Sequence, residues 1–199
     1  MTEPLNQALR IGILARSGYG KTRLVRQLIP MASKQMPNVL FIYYNTDFEN
    51  LPELKGLKNV KIFTPDKEKN DDLKYLNDFI LNIRSKYSNV MLIIDDIDLF
   101  FDGNSSLSLK SKELKQLFSN GRHQRVGCIW ISKQLAFIPK KIISNTDLFY
   151  LGNFVEQQDL ERLKGFVDTK QIVKLTDPIF MRYDRRVVPS ERVKYIKGW

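Results

Sequence analysis

The chain has 199 residues and a mass of 23.3 kDa, enough for one domain with a sizeable core. With 43% hydrophobic and 27% charged residues it is globular in composition, which excludes disordered, collagen-like and mucin-like classes. Thirty-two basic residues against 22 acidic ones give a net charge of +10, favouring a polyanion partner: nucleic acid, a nucleoside phosphate or an anionic membrane face. The lone cysteine, Cys128, cannot form an internal disulfide, which points to a reducing compartment. No apolar run approaches the ~20 residues of a membrane span. The first residues lack the basic region and apolar core of a signal peptide. A cytoplasmic protein without membrane association is expected.

The first predicted strand, 10–14, runs into Ala15-Arg16-Ser17-Gly18-Tyr19-Gly20-Lys21-Thr22 and then a helix over 21–29, which Pro30 is expected to break or kink. A strand, a glycine-containing loop and Lys-Thr at a helix start form the context of a phosphate-binding loop. Backbone amides must converge on an anion there, and Gly18 and Gly20 permit the required dihedrals. Lys21 is expected to reach the β and γ phosphates, with Thr22 on Mg²⁺ and the helix N-terminus facing the phosphates. Ser17, Gly18, Tyr19, Gly20, Lys21, Thr22 and Arg23 are the candidate phosphate- and cofactor-binding residues. Ala15 stands where the usual pattern has its first glycine.

Predicted strands follow at 39–44 and 60–63, and then a helix. Leu73, Leu76, Ile80, Ile83 and Tyr87 keep a 3-4-3-4 spacing that makes one face apolar. Asp71 and Asp72 at its start and Arg84 and Lys86 at its end suit the helix dipole. The strand 90–94 ends in Asp95-Asp96. A carboxylate at such a strand end lies beside a Mg²⁺ at the phosphate loop. Asp95 is the candidate metal holder and Asp96 the group that orients or deprotonates the attacking water. Glu49 and Asp47, just past the second strand, are alternatives for that base.

A weaker helix is expected over 107–118. Gly121-Arg122-His123-Gln124-Arg125 precedes a strand at 127–131, which ends in Ser132-Lys133-Gln134. Polar groups at the carboxyl end of a parallel strand face a ligand crevice, so Ser132, Lys133 or Gln134 is the candidate sensor of the γ-phosphate. Arg122 and Arg125 lie at the strand's other end, placed to serve a neighbour's site as arginine fingers do, or else to make salt bridges or nucleic-acid contacts. His123, the only histidine, has no cysteine cluster to make a zinc site with. A strand at 148–151 and a helix at 155–163 follow. Beyond about residue 176 apolar and basic residues alternate, suggesting an edge hairpin. Arg182, Arg185, Arg186, Arg192, Lys194 and Lys197 there outnumber Asp184 and Glu191. The near-continuous apolar strands alternating with helices predict an α/β fold with a mainly parallel sheet. The division expected is a P-loop core over 1–176 and a basic strand extension of the same domain over 177–199.

These elements together resemble the FtsK–HerA superfamily of DNA-pumping P-loop ATPases, and within it the genome-packaging ATPases of double-jelly-roll viruses, of the poxvirus and archaeal turreted icosahedral virus types. The resemblance rests on the loop 15–22, the strand with Asp95-Asp96, Gly121-Arg122-His123, Ser132-Lys133-Gln134, Ile138-Pro139 and Asn145-Thr146-Asp147. It covers roughly residues 8–163. It implies a RecA-like P-loop fold and ATP hydrolysis with Mg²⁺. Lys21, Thr22 and Asp95 would hold Mg·ATP, Asp96 would be the catalytic carboxylate and Arg122 a finger acting in trans. It also implies partners: double-stranded DNA, other copies in a homo-oligomeric ring, and a capsid vertex or procapsid. The family often has glutamine two places after the last apolar residue of the sensor strand; here Lys133 stands there with Gln134 beside it.

Three other readings compete with a packaging translocase. A small-molecule P-loop kinase needs an arginine-rich lid and a base for an acceptor hydroxyl, and no compact candidate for either stands out. A GTPase needs an Asn-Lys-x-Asp guanine reader, and none follows any strand. A nucleotide-binding assembly factor without turnover is compatible with Ala15 and Asp96.

Overall fold

The computed structural model describes residues 9–46, 51–69, 71–101, 111–120 and 125–197. Arg122, His123, Glu49 and Asp47 lie outside them. Six strands, β1 (Arg10–Leu14), β2 (Leu40–Tyr44), β3 (Val60–Phe63), β4 (Val90–Ile94), β5 (Val126–Ser132) and β6 (Leu148–Leu151), run parallel. The hairpin of β7 (Ile179–Asp184) and β8 (Val193–Lys197) joins β6 antiparallel and completes an eight-stranded sheet of order β3-β2-β4-β5-β1-β6-β7-β8. β1, β4, β5 and β6 are buried along their whole length, which is why they read as unbroken apolar runs rather than alternating ones.

Helices cover the sheet: α1 (Lys21–Gln35), α2 (Leu73–Lys86), α3 (Lys112–Asn120), α4 (Lys140–Ser144), α5 (Gln157–Leu163) and α6 (Thr169–Val173). α2 buries Leu76, Ile80 and Ile83, and Asp72 caps it by accepting the amides of Lys74 and Tyr75. Asp72 is thus the cap rather than a member of the first turn. The Arg84–Glu113 ion pair, almost buried, joins α2 to α3.

Three expectations are corrected. α1 does not end before Pro30 but continues to Gln35. A proline removes a single amide, and burial of Ile29, Ala32 and Ser33 on either side of it carries the helix through. The short helices α4 and α6 were not foreseen, since five residues are too few to show a period. The basic tail is also less available than its composition suggests. Arg182 and Arg186 both pair with Asp184, which has no exposed surface. Burial pushes the Asp184 carboxyl up, but hydrogen bonds from Arg186 and the two guanidinium charges outweigh it and hold it below its ordinary value. Arg185 donates to the carbonyls of Ile143, Ser144 and Thr146, capping the end of α4. Lys194 and Lys197 on β8 are exposed. Among the described residues no helix is long and apolar enough to cross a membrane.

Candidate functional site

The strand order brings three loops together. β5 lies between β1 and β4, with Leu14 opposite Ser132 and Ile94 opposite Trp130. The segments leaving the carboxyl ends of β1, β5 and β4 therefore adjoin, and a cavity of about 530 Å³ opens where they meet. The loop after β1 and the first turn of α1 supply Ser17, Gly18, Gly20, Lys21, Thr22 and Arg23 to it. Asp95 and Asp96 follow β4, and Lys133 follows β5.

The local backbone suits an anion. Gly18 and Gly20 have φ of 74° and 87°, a left-handed region that costs a side chain about 1–2 kcal/mol. Gly20 is the N-cap of α1, makes no side-chain cap bond, and is followed by a first turn without any acidic residue. α2, by contrast, spends its first amides on Asp72. The positive dipole end of α1, with Lys21 and Arg23 in its first turn, faces the cavity.

Lys21 is partly buried, and its Nζ donates to the carbonyls of Ala15 (3.0 Å) and Arg16 (3.2 Å). Burial lowers its pKa, while Asp96, Asp95 and Asp98 pull it back up. Asp95 is 2% exposed. Its Oδ1 accepts the Asp96 amide at 3.0 Å and its Oδ2 accepts the Tyr43 hydroxyl. Asp96 has φ of 39°, an unusual conformation that turns it out of the strand, and its Oδ2 stands 3.8 Å from Lys133 Nζ. The Lys133 amide donates to Asp98 Oδ1 at 3.2 Å, tying the end of β5 to the turn after β4.

The donor set suits Mg²⁺. Thr22 and Asp95 offer hard oxygens, and among the described residues no group of three or more His, Cys, Asp or Glu could hold a metal alone. Mg²⁺ is commonly bound by one or two protein oxygens, with substrate phosphates and water completing its shell.

Not every candidate converges here. Tyr19 does not line the cavity; its side chain turns into the fold and is 2% exposed. Its hydroxyl donates to the Ile179 carbonyl of β7 at 2.7 Å, and its ring meets Phe180 edge-on at 5.3 Å. Burial, helped by Asp177, pushes its pKa up to about 12. The slot it fills exists because residue 152 is glycine: a Cβ there would stand 2.3 Å from the Tyr19 ring and 2.6 Å from Ala15 Cβ. Tyr19 thus anchors the loop, and Ala15 is packed beneath it. Gln134 lines a separate cavity of about 190 Å³ beside Phe154 and Glu156, whereas Lys133 reaches both. Arg125 precedes the amino end of β5, away from the cavity.

Several residues at the site escaped the sequence reading. Arg26 lines the cavity one helical turn beyond Thr22, a spacing that could have shown it. Asp98 is the third carboxylate of Asp95-Asp96-Ile97-Asp98 and is 4% exposed. Tyr43 carries no local signal.

No family model and no curated protein sequence matches the chain. Solved structures do. The genome packaging NTPase B204 from Sulfolobus turreted icosahedral virus 2, in complex with ATP-gammaS, superposes with a TM-score of 0.76 at 17% identity, covering 98% of this chain and 100% of that one. The DNA-packaging ATPase B204 from Sulfolobus turreted icosahedral virus gives 0.73 at 20% identity over the same shares. The pCW3 conjugation coupling protein TcpA gives 0.66 at 14% identity, with 98% of this chain matching 61% of that one. The chain has the RecA-like P-loop α/β fold of these proteins, over nearly all its length.

Proposed function

We propose that the chain is a Mg²⁺-dependent ATPase that moves double-stranded DNA, packaging a viral genome into its capsid as a homo-oligomeric ring. The observation that carries the ATPase reading is the glycine-capped, acid-free start of α1 at a cavity that also receives Lys133, Asp95 and Asp96. Backbone amides and Lys21 would hold the phosphates, and Thr22 and Asp95 the Mg²⁺. When bound, the cation would neutralise charge developing on the transferred phosphoryl group. Asp96 would orient the attacking water. Lys133, which lines the cavity beside Asp96, would answer to the γ-phosphate, and Arg122 would reach the site of the adjacent subunit. Full-length likeness to packaging NTPases at 17–20% identity supports the biological setting.

The partner is argued from charge. A net +10 and exposed Lys194 and Lys197 suit a phosphate backbone, and no base-reading module is recognisable in the sequence. Binding to double-stranded DNA is therefore expected to be independent of sequence and steeply dependent on salt. If about six phosphates are neutralised, log K falls against log salt with a slope near −5. Fluorescence anisotropy with two unrelated duplexes across a salt series measures this. A flat salt response, or tight binding to one duplex only, contradicts the proposal.

A further inference from the structure

β2 carries two adjacent tyrosines, Tyr43 and Tyr44, opposite Ile93 and Ile94 of β4, and neither has exposed surface. Strand alternation sends them to opposite faces of the sheet. Tyr44 packs among the rings of Phe63, Phe79 and Phe100, and its hydroxyl has no hydrogen-bond partner among the described residues. Tyr43 places its hydroxyl on Asp95 Oδ2. At residue 44 the buried oxygen has no acceptor among the described residues; at residue 43 it has a specific one.

Three hydrogen bonds to Asp95 restrain its orientation. Thr46 Oγ1 donates to its backbone carbonyl at 3.2 Å, the Asp96 amide holds Oδ1, and the Tyr43 hydroxyl holds Oδ2. A carboxylate fixed at both oxygens cannot rotate about its side-chain torsions. The direction in which it faces the cavity is therefore held.

We propose that Tyr43 is a positioning residue for the metal of the nucleotide complex: its hydroxyl sets the orientation in which Asp95 meets the cation or a water bound to it. The proposal rests on the Mg·ATP reading of the cavity. Hydrogen-bond partners of ligating carboxylates are commonly worth 10–100-fold in metal affinity, because an unrestrained ligand must be ordered when the metal binds. Tyr43 does not line the cavity and would act through Asp95.

The test titrates Mn²⁺, as a paramagnetic stand-in for Mg²⁺, into the full chain with saturating ATPγS, reading free Mn²⁺ by electron paramagnetic resonance. Three proteins are compared: wild type, Tyr43→Phe and Tyr44→Phe. Tyr43→Phe is expected to raise the Mn²⁺ dissociation constant about tenfold. Tyr44→Phe loses the same atom from the neighbouring buried ring and is expected to match wild type. ATPγS binding without metal should be the same in all three. The proposal is overturned if Tyr43→Phe binds Mn²⁺ within twofold of wild type, or if Tyr44→Phe is weakened as much, since the effect would then be one of packing. A wild-type protein that holds no Mn²⁺ with ATPγS overturns the nucleotide reading itself, and the positioning role with it.

Discussion

Replacing Lys21 with alanine is expected to lower ATP turnover by at least about 10²–10³, the typical cost of removing one preorganised electrostatic donor from an active site. Lys21 is the first residue of α1 and brings a cation to the cavity, next to an N-cap glycine that has no side chain to cap the first amides. Among the described residues its Nζ bonds two loop carbonyls, those of Ala15 and Arg16. Losing two such bonds costs about 0.5–1.5 kcal/mol each, too little to unfold a domain. The variant should therefore keep its circular dichroism spectrum and melting temperature nearly unchanged while phosphate release collapses. Wild-type turnover in Lys21→Ala would contradict the assignment of the cavity.

Arg122 concerns the ring rather than the single site. If it completes a neighbour's site, Arg122→Ala should bind ATP almost normally, because the phosphate loop and the Mg²⁺ ligands are in its own chain. Hydrolysis should fall by about 10³-fold, the lower bound for arginine fingers elsewhere. Mixing Arg122→Ala with Lys21→Ala protein should then restore part of the activity. In mixed rings an intact Lys21 site on one subunit meets an intact Arg122 from the next. An arginine acting within its own chain allows no rescue, because no subunit in the mixture carries both groups. Phosphate release across mixing ratios separates the two: activity at intermediate ratios supports a trans arginine, and none at any ratio contradicts it.

The parallel sheet was readable in the sequence because β1, β4, β5 and β6 are buried on both faces and so appear as short apolar runs. The phosphate loop was readable for a local reason as well: its glycines, lysine and threonine act through backbone geometry within a few residues. What stayed hidden depends on distant partners. Tyr19 looked like part of the loop's binding surface, and only Gly152 and Ile179 reveal that it is the loop's anchor. Tyr43 looked like one more apolar residue of β2 until β4 set Asp95 beside it. Lys133 and Gln134 were equivalent as sequence neighbours, yet the chain leaving β5 puts Lys133 at Asp96 and Gln134 in the adjoining cavity. The basic tail misled for a related reason: net charge does not reveal that one buried carboxylate, Asp184, occupies two of its arginines.

The central claim joins ATP hydrolysis at this cavity to a DNA partner, and a single assay addresses both halves. Phosphate release is followed with Mg·ATP at fixed protein concentration while linear double-stranded DNA is titrated in. The account predicts a measurable basal rate that rises with DNA and saturates, whatever the DNA sequence, and that disappears in Lys21→Ala. A rate that is the same with and without DNA, or no release under either condition, would contradict it.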